Sequence, residues 1–330
     1  MILASRLNWK LSRLGKYAEE SASLLVGKML DDIKEEHGQG NREAWLRERR
    51  KGIGASDAAA CVGCNPWKSS IGLWAEKAGR VPPSEPSDKD AADMGRLLEP
   101  VVLERFRELT GFRVEGWPQT VIVQNDAYPW QLCTPDALIF GDEGPGLVQA
   151  KTARESEGGW DEVPIHYEIQ VQHEMAVTGL AYAYLVVLFG GRTLRWYRFD
   201  RNEETIDWLT SHEKKLWQHV ERGEELPPEL RFGDAETRAA DTLRLHPEDN
   251  GCEVILPPEL TDVAAEYEEI GVQLGEGEKR RAKLKALLVD GIGPHTYGVA
   301  GGRRFSLKTQ ERAEHVVKAS KFRVLRQEKR

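Results

Sequence analysis

The alternation of apolar and polar positions divides the chain into helical and extended stretches. From Ala91 to Thr110, apolar residues recur at the three- and four-residue spacing of a helix, and Gly111 is a typical helix end. Residues 165–178 and 202–222 have the patterns of two further helices. Short apolar runs predict strands at 112–114, 120–123, 137–140, 147–150, 181–189 and 193–199. The order of helix, strands, helix, strands, helix predicts a mixed α/β domain.

The two ends of the chain differ from this centre. Residues 1–40 have the pattern of a polar helical extension without strand signals. Beyond a break at Leu226-Pro227-Pro228, residues 261–288 predict a long polar helix and 295–308 a small hairpin. The sequence therefore predicts a helical N-terminal extension at 1–40, a core at 41–230, and a C-terminal α+β module with a basic tail at 231–330.

A β-hairpin with candidate chemistry is predicted near the middle of the chain, where an Asp-Glu-Gly-Pro turn separates two apolar runs. With the turn centred after Glu143, Asp136 falls opposite Lys151. Leu138 then falls opposite Gln149. Side chains alternate along a strand, so Asp136, Gln149 and Lys151 are predicted to share one face. A slip by one residue would break this arrangement, and an ordinary surface hairpin with a charged end has the same pattern.

Composition places the chain among soluble globular proteins. Of its 330 residues, 40% are hydrophobic and 30% are charged. No apolar run reaches the roughly 20 residues that a membrane span needs, and the N-terminus lacks the pattern of a signal peptide. Four cysteines are consistent with a reducing compartment. We therefore expect a cytoplasmic protein that does not enter a membrane.

Charge is distributed unevenly around a net value of −8. A basic cluster contains Arg47, Arg49, Arg50 and Lys51, and residues 303–330 hold ten Lys and Arg against three Asp and Glu. Local basic patches on an acidic protein are compatible with an enzyme that holds DNA in a confined channel. Solvated surface faces account for such runs equally well.

Two other signals are weak. Cys61 and Cys64 form a CxxC pair without a second pair or nearby histidines, so structural or incidental cysteines are favoured over a zinc site. No glycine-rich loop has the pattern that cradles nucleotide phosphates. ATP-driven chemistry is therefore not expected within this chain.

Several short motifs resemble a known family when taken in order. They are Trp45…Arg49, Gly54-Ala55-Ser56-Asp57, Glu99, Thr134-Pro135-Asp136, Gln149-Ala150-Lys151 and Tyr167…Gln170-Val171-Gln172. This order resembles the YqaJ-type viral recombinase nucleases, relatives of phage lambda exonuclease in the PD-(D/E)XK superfamily, over about residues 41–225. The resemblance implies a restriction-endonuclease-like core, in which helices flank a mixed central sheet.

The same resemblance implies an activity and partners. Members of the family are phage or prophage exonucleases that degrade one strand of linear duplex DNA from its 5′ end, and they need Mg²⁺. They often form a trimeric ring around the DNA and work beside a single-strand annealing protein in recombination. Two Mg²⁺ ions about 4 Å apart suit phosphodiester hydrolysis, because they neutralise charge and activate water; Mn²⁺ is the expected substitute.

The resemblance also implies roles for individual residues. Asp136, the side chain of Gln149 and the backbone carbonyl of Ala150 would bind the first metal. Glu99 would help to hold the second metal, and Lys151 would orient or deprotonate the attacking water. The expected DNA contacts, including two to a 5′ phosphate, come from Arg49, Ser56, Arg47, Gln170 and Tyr167. Gln172 would line the active site, and more clearly than Gln170.

Position 149 departs from the family pattern, which has Glu or Asp there. Gln has nearly the shape of Glu but no charge, so metal affinity should fall. We hypothesise an engineered, inactivating Glu-to-Gln substitution; the alternative is a natural degenerate nuclease. Two competing functions stay open. One is a non-catalytic module that binds DNA ends, and the other is a RecB-type nuclease with an iron–sulfur cluster, which the cysteine spacing disfavours.

Overall fold

The computed structural model describes residues 42–85, 88–119, 121–154, 159–311 and Leu325. The predicted helical extension at 1–40 and most of the basic tail lie outside the described residues. Contacts divide the chain into two compact units, Met1–Leu245 and His246–Arg330. The division at residues 40 and 230 that the sequence suggests stays a prediction.

The first unit contains seven α-helices and eight strands among its described residues. In chain order they are α1 (Arg42–Arg49), β1 (Ile53–Gly54), α2 (Ala55–Cys61), α3 (Ser70–Lys77), α4 (Lys89–Thr110), β2 (Arg113–Gly116), β3 (Val123–Gln124), β4 (Gln131–Cys133), β5 (Ala137–Gly141), β6 (Gly144–Ala153), α5 (Ile165–Thr178), β7 (Tyr182–Phe189), β8 (Thr193–Asp200), α6 (Glu203–Arg222) and α7 (Ala235–Leu245). The predicted mixed α/β architecture is confirmed.

A five-stranded mixed sheet forms the centre of this unit, in the order β2-β5-β6-β7-β8. Neighbouring strands are antiparallel except β6 and β7, which are parallel. Helix α5 connects these two strands, which makes a βαβ unit. A smaller sheet has the order β1-β4-β3, with β1 parallel to β4.

Helices cover both faces of the central sheet. Val102 and Phe106 of α4 pack with Ile139 and Val148 on one face. On the other face, residues of α5 pack with inward residues of β5 and β6, namely Val171, Met175, Leu138, Phe140 and Leu147. The two faces follow the alternation of side chains along each strand. Residues 147, 149 and 151 of β6 therefore belong to the face that α5 covers.

The register of the β5–β6 hairpin differs by two residues from the predicted one. Leu138 pairs with Leu147 rather than with Gln149, and Gly141 pairs with Gly144. The two-residue turn is therefore Asp142-Glu143, one position earlier than expected. Because the displacement is an even number, side chains keep their face. The prediction that Asp136 and Gln149 lie on one face holds despite the wrong pairing.

Glycine at position 146 makes room for a packed tyrosine. A Cβ at Gly146 would lie 2.3 Å from Cε2 of Tyr182. The Tyr182 ring is held in place because its hydroxyl donates to the Gly144 carbonyl at 2.8 Å and the Arg198 guanidinium lies 4.8 Å from its centroid. Close packing of this kind excludes even one additional carbon.

We expect Gly146→Ala to lower the free energy of unfolding by about 1–3 kcal/mol, because the added methyl overlaps the Tyr182 ring. Gly116→Ala is the matched control, since nothing lies within 4 Å of a Cβ at that strand position. Urea denaturation measures both. Equal midpoints for the two variants would contradict the packing argument.

The second unit is an α+β arrangement, as predicted. It contains the long helix α8 (Thr261–Ile292) and an antiparallel hairpin of β9 (Tyr297–Ala300) and β10 (Arg303–Ser306). On the hairpin, the Arg304 guanidinium lies 3.8 Å from the centroid of the Tyr297 ring, a cation–π contact. Among the described residues of the whole chain, no helix is both long enough and apolar enough to span a bilayer.

Candidate active site

A cavity of about 200 Å³ gathers five of the eleven predicted site residues. Arg49 comes from the end of α1 and Ser56 from the start of α2. Gln149 and Lys151 come from β6, and Gln170 comes from α5. Alternation along β6 directs residues 149 and 151 to the face that α5 covers, which brings Gln170 to the same space.

Asp136 and Gln149 form a buried pair at this site. The Asp136 Oδ2 atom accepts hydrogen bonds from Gln149 Nε2 at 2.6 Å and from the backbone N–H of Ala150 at 2.8 Å. Burial raises the pKa of Asp136, while Lys151 and the Ala150 N–H act in the opposite direction. The Gln149 Oε1 atom is buried and has no hydrogen-bond partner in the described part of the chain.

Glu99 reaches the neighbourhood of this pair from α4. Its Oε1 atom accepts a hydrogen bond from Gln119 Nε2 at 2.5 Å. Burial and the nearby Asp136 raise the pKa of Glu99 to about 7, with Lys151 and Gln119 opposing the shift. Glu99 lines a second cavity of about 570 Å³, which shares Arg49 and Gln119 with the first.

Arg49 is held in position by several contacts. Its guanidinium donates to the Ser56 hydroxyl, lies 5.2 Å from the Trp45 ring centroid and is 3.8 Å from Asp57 Oδ2. Lys77 and Lys68 also contact the Asp57 carboxylate, at 3.0 Å and 3.5 Å. Burial alone would raise the pKa of Asp57, but the three cations hold it well below its usual range. Three positive groups therefore surround a single buried carboxylate.

Glu174 belongs to the same region but was not predicted. Gln170 Nε2 donates to Glu174 Oε1 at 3.1 Å, while Glu174 Oε2 is buried without a hydrogen-bond partner among the described residues. Complete burial and the charge of Asp136 raise the pKa of Glu174 to about 8. The spacing from Gln170 to Glu174 was the signal in the sequence, because residues four apart on a helix lie on the same face.

Gln172 is not brought to the cavity, contrary to the role predicted for it. Its Nε2 donates to the Asp200 carbonyl at 2.9 Å, and its Oε1 accepts from the Asn202 N–H at 3.0 Å. Residues two apart on a helix point to nearly opposite sides. Gln172 therefore connects α5 to the backbone before α6, while Gln170 faces the cavity.

Two more predicted DNA-contact residues lie outside the cavity lining. Tyr167 stacks on Trp160 with centroids 5.3 Å apart, and Lys151 Nζ lies 5.8 Å from its ring centroid. Tyr167 is therefore next to the predicted water-activating lysine. Arg47 is exposed and lines neither of the two cavities.

The comparison with known families adds a decisive match to this geometry. Residues 44–181 match the YqaJ-like viral recombinase domain. The resemblance inferred from the motifs is confirmed over these residues. Every residue of the cavity and of the Asp136–Gln149 pair falls within the matched residues 44–181.

Individual relatives are known as well. The chain is 36% identical over 192 residues to the uncharacterized protein YqaJ of Bacillus subtilis (strain 168). The aligned region covers 57% of this chain and 59% of that protein. Two solved structures of LHK-Exo, an alkaline exonuclease from Laribacter hongkongensis, are similar at a TM-score of 0.43. One is a complex with dAMP, and the two are 20% and 18% identical to this chain over 55% of it and 93% of their own lengths.

The oxygen atoms gathered at this site are suited to a hard cation. Asp136, Glu99, the buried amide oxygen of Gln149 and the Ala150 carbonyl are all oxygen ligands of the kind that Mg²⁺ prefers. In the described residues, no group of three or more His, Cys, Asp or Glu side chains has an arrangement that could hold a metal. A carboxylate at position 149 would add a third acidic side chain beside Asp136 and Glu99.

We expect Glu174→Gln to make the chain more stable than the parent at alkaline pH. The pKa of Glu174 is raised from its ordinary value of 4.5 to about 8 in the folded protein. The contribution of Glu174 to stability is therefore complete below pH 4.5 and is lost as the pH rises to about 8. The variant should match the parent near pH 4.5 and exceed it by more than about 1 kcal/mol at pH 9.

Urea denaturation in EDTA at a series of pH values measures this difference. Other titrating groups are common to both proteins and cancel in the comparison. A difference that does not change with pH would contradict a neutral, buried Glu174.

Proposed function

We propose that the chain is a metal-dependent deoxyribonuclease. It hydrolyses one strand of linear double-stranded DNA in the 5′-to-3′ direction from a 5′-phosphorylated end, for phage-type recombination. The main support is that one cavity is lined by Arg49 and Ser56 together with Gln149 and Lys151. A phosphate-binding pair and a hydrolytic set within one small space are the arrangement that an end-specific nuclease needs.

Arg49 and Ser56 would bind the terminal 5′ phosphate. A guanidinium can donate two parallel hydrogen bonds to phosphate oxygens, and a hydroxyl adds a third donor. The Trp45 ring and the Asp57 carboxylate restrain the guanidinium, so less side-chain entropy is lost when DNA binds. Lys68 and Lys77 support the same step, because together with Arg49 they are three cations against two buried carboxylates, Asp57 and Glu76.

Lys151 would act on the attacking water. It lines the cavity on the same strand as Gln149, two residues further along, and so faces the same side. Its ammonium group lies 5.8 Å from the Tyr167 ring centroid and is close enough to Asp136 to act on the pKa of that carboxyl. As an ammonium, Lys151 would orient a water molecule toward the scissile phosphate. As a neutral amine, it would accept a proton from that water molecule.

Asp136, Gln149 Oε1, the Ala150 carbonyl and Glu99 would hold Mg²⁺, or Mn²⁺ as a substitute, as two ions per site. The buried Oε1 of Gln149 has no hydrogen-bond partner among the described residues, and this supports the assignment. A bound cation would offset the free-energy cost of burying that oxygen. When bound, the metal supplies charge neutralisation and a lowered pKa of water. The protein groups fix the ligand positions and exclude bulk water.

A second function is favoured by one observation. The Gln149 Nε2–H already donates to the Asp136 carboxylate, so the pair is hydrogen-bonded without a cation. A module that binds DNA ends without cleaving them would need no more than this together with Arg49 and Ser56. The codon at position 149 in the source gene bears on the origin of this state, since a Gln codon would exclude an engineered substitution.

Further assignments rest on the family alone. We propose that the chain acts in the cytoplasm of a bacterial host as a phage or prophage protein, that it assembles into a trimeric ring, and that it works with a single-strand annealing protein. The chain spans 59% of the B. subtilis relative, so these statements extend beyond the matched region.

The proposed phosphate pair predicts a change in end recognition. We expect Arg49→Ala to weaken binding to a 5′-phosphorylated duplex about tenfold or more and to remove the preference over a 5′-hydroxyl duplex. Arg47→Ala, the matched control, should weaken binding to both duplexes alike, because its exposed charge acts on the DNA backbone in general. Fluorescence anisotropy with labelled duplexes measures both, and it needs no catalysis.

Thermal unfolding of each variant checks that the fold is retained. If Arg49→Ala kept the full preference for the 5′ phosphate, the assignment of the phosphate-binding pair would be wrong, whatever the activity of the chain.

A further inference from the structure

Helix α8 carries an apolar stripe that the second unit leaves open. Although all 32 residues of this helix are described, Ile292 is its one buried residue. The stripe consists of Val263, Tyr267, Ile270, Leu274, Leu284 and Leu288, whose side chains are 38% to 64% exposed. A single surface helix that buries almost nothing lacks the packing that normally stabilises helices in water.

The spacing of the stripe is that of a coiled coil. The steps from residue 263 to 267, 270, 274, 277, 281, 284 and 288 alternate between four and three. This is the heptad pattern, in which two positions of every seven face a partner helix. Two positions in the middle of the stripe are not apolar, because they hold Gly277 and Arg281.

Charge along α8 is divided between its two halves. Residues 261–278 contain six acidic side chains and no Lys or Arg, whereas residues 279–292 contain five Lys and Arg and one Asp. A parallel pair of such helices would place like charges side by side. An antiparallel pair would place the acidic half of each helix against the basic half of the other, which is favourable.

We propose that α8 docks against the α8 of a second copy of this chain as an antiparallel coiled coil. With the pair centred on Lys279, Ile270 lies opposite Leu288 of the second copy, and Leu274 lies opposite Leu284. Gly277 then lies opposite Arg281, so a residue without a side chain leaves room for a long one. This fit at the two polar positions fixes the register, as single polar core positions do in other coiled coils.

Pairing also accounts for the composition of the helix. Glycines at 271, 275, 277 and 291 lower its intrinsic helical stability by roughly 1 kcal/mol each relative to alanine. Burial of the stripe along a contact of up to about 40 Å offsets this cost. A second copy of α8 therefore matches this helix in two ways: it has the same apolar stripe, and its acidic and basic halves are complementary in an antiparallel pair.

Sedimentation equilibrium of the full chain tests the docking surface. Leu274→Lys places a charge in the stripe, and Val272→Lys is the matched control, because Val272 is 58% exposed against 64% for Leu274 but lies on the opposite face. We expect the assembly formed by the Leu274→Lys variant to have half the mass of that formed by the parent and by Val272→Lys. Equal masses for both variants would overturn the proposal and leave another occupant for the stripe.

Charge exchange tests whether charge complementarity drives the pairing, and it remains informative if a stripe variant misfolds. One chain carries Lys or Arg at all six acidic positions of residues 261–278, and the other carries Glu at the five basic positions of residues 279–292. Each alone should not pair through α8, whereas their mixture should pair with parent-like mass. Failure of the mixture to pair would overturn antiparallel docking.

Disulfide trapping in a Cys252→Ser background locates the register. Chains with Ile270→Cys should crosslink to chains with Leu288→Cys and not to themselves. Self-crosslinking of Ile270→Cys chains would indicate parallel pairing and would contradict the proposal.

Discussion

Replacing Gln149 by Glu is expected to raise Mg²⁺-dependent digestion of a 5′-phosphorylated linear duplex by up to about 1,000-fold. A unit charge about 4 Å from a cation contributes about 4 kcal/mol at an effective dielectric constant of 20, and each 1.36 kcal/mol is a factor of ten in rate. The restored carboxylate would also remove the amide N–H that now binds Asp136. Release of acid-soluble nucleotides from labelled duplex measures the change.

Metal binding gives a readout independent of catalysis. Two adjacent carboxylates repel without a cation, so Gln149→Glu should be less stable than the parent in EDTA and should gain more in melting temperature on addition of Mg²⁺. Asp136→Asn in the Gln149→Glu background is the control, and it should lose both effects. If neither the parent nor Gln149→Glu cuts DNA while both bind ends tightly, the non-catalytic end-binding module becomes the better description.

Removing the carboxylate of Glu213 is expected to cost about 3–5 kcal/mol of unfolding free energy, because it breaks a fully buried ion pair. His173 Nδ1 lies 2.7 Å from Glu213 Oε1, and His173 Nε2 lies 3.1 Å from the Leu132 carbonyl. When the imidazole is charged, both of its ring nitrogens carry a hydrogen. Nδ1 then donates to Glu213 and Nε2 donates to the Leu132 carbonyl. Glu213 Oε2 also accepts from Gln131 at 2.7 Å, which connects α6, α5 and β4.

The measurement is urea denaturation of Glu213→Ala at pH 6. Glu143→Ala is the control, since Glu143 pairs with Arg198 on the exposed surface and its removal should leave the midpoint nearly unchanged. A loss no larger for Glu213→Ala than for Glu143→Ala would show that the buried pair is not a main source of stability.

The same ion pair should make stability depend on pH. Burial alone would lower the pKa of His173, but Glu213 raises it above its ordinary value of 6.5. The stabilising contribution is therefore complete below pH 6.5 and is lost as pH rises through the higher folded-state pKa. Glu213→Gln should remove this part of the pH dependence.

Long periodic elements could be predicted from the sequence because many residues repeat one pattern. Helix α5 begins and ends where its apolar spacing and Gly179 indicate, and the hairpin of β7 and β8 follows its Gly-Gly turn. The site residues on α5 were named from the family resemblance and not from this periodicity. Face alternation along β6 depends only on parity, so it tolerated an error of two residues in the register.

Short elements and long-range contacts could not be predicted. Strands β1 and β3 have two residues each, which is too few for any periodicity to appear. The choice between Gln170 and Gln172 depends on where α5 meets the sheet, and a single helix pattern with polar residues on both sides does not determine this. Asp57, His173 and Glu213 become buried only through partners distant in sequence, so their roles have no local signal.

The parallel pairing of β1 with β4 has a consequence for the order of folding. Ile53 pairs with Gln131, whereas Ala137 pairs with Val148 across a two-residue turn. The β5–β6 hairpin closes a short loop, while the segment with Arg49 and Ser56 must close a loop of nearly eighty residues, which carries a larger entropic cost. We infer that the β5–β6 hairpin forms early and that the proposed phosphate pocket is completed late. The proposed pocket therefore depends on longer-range contacts than the hairpin does.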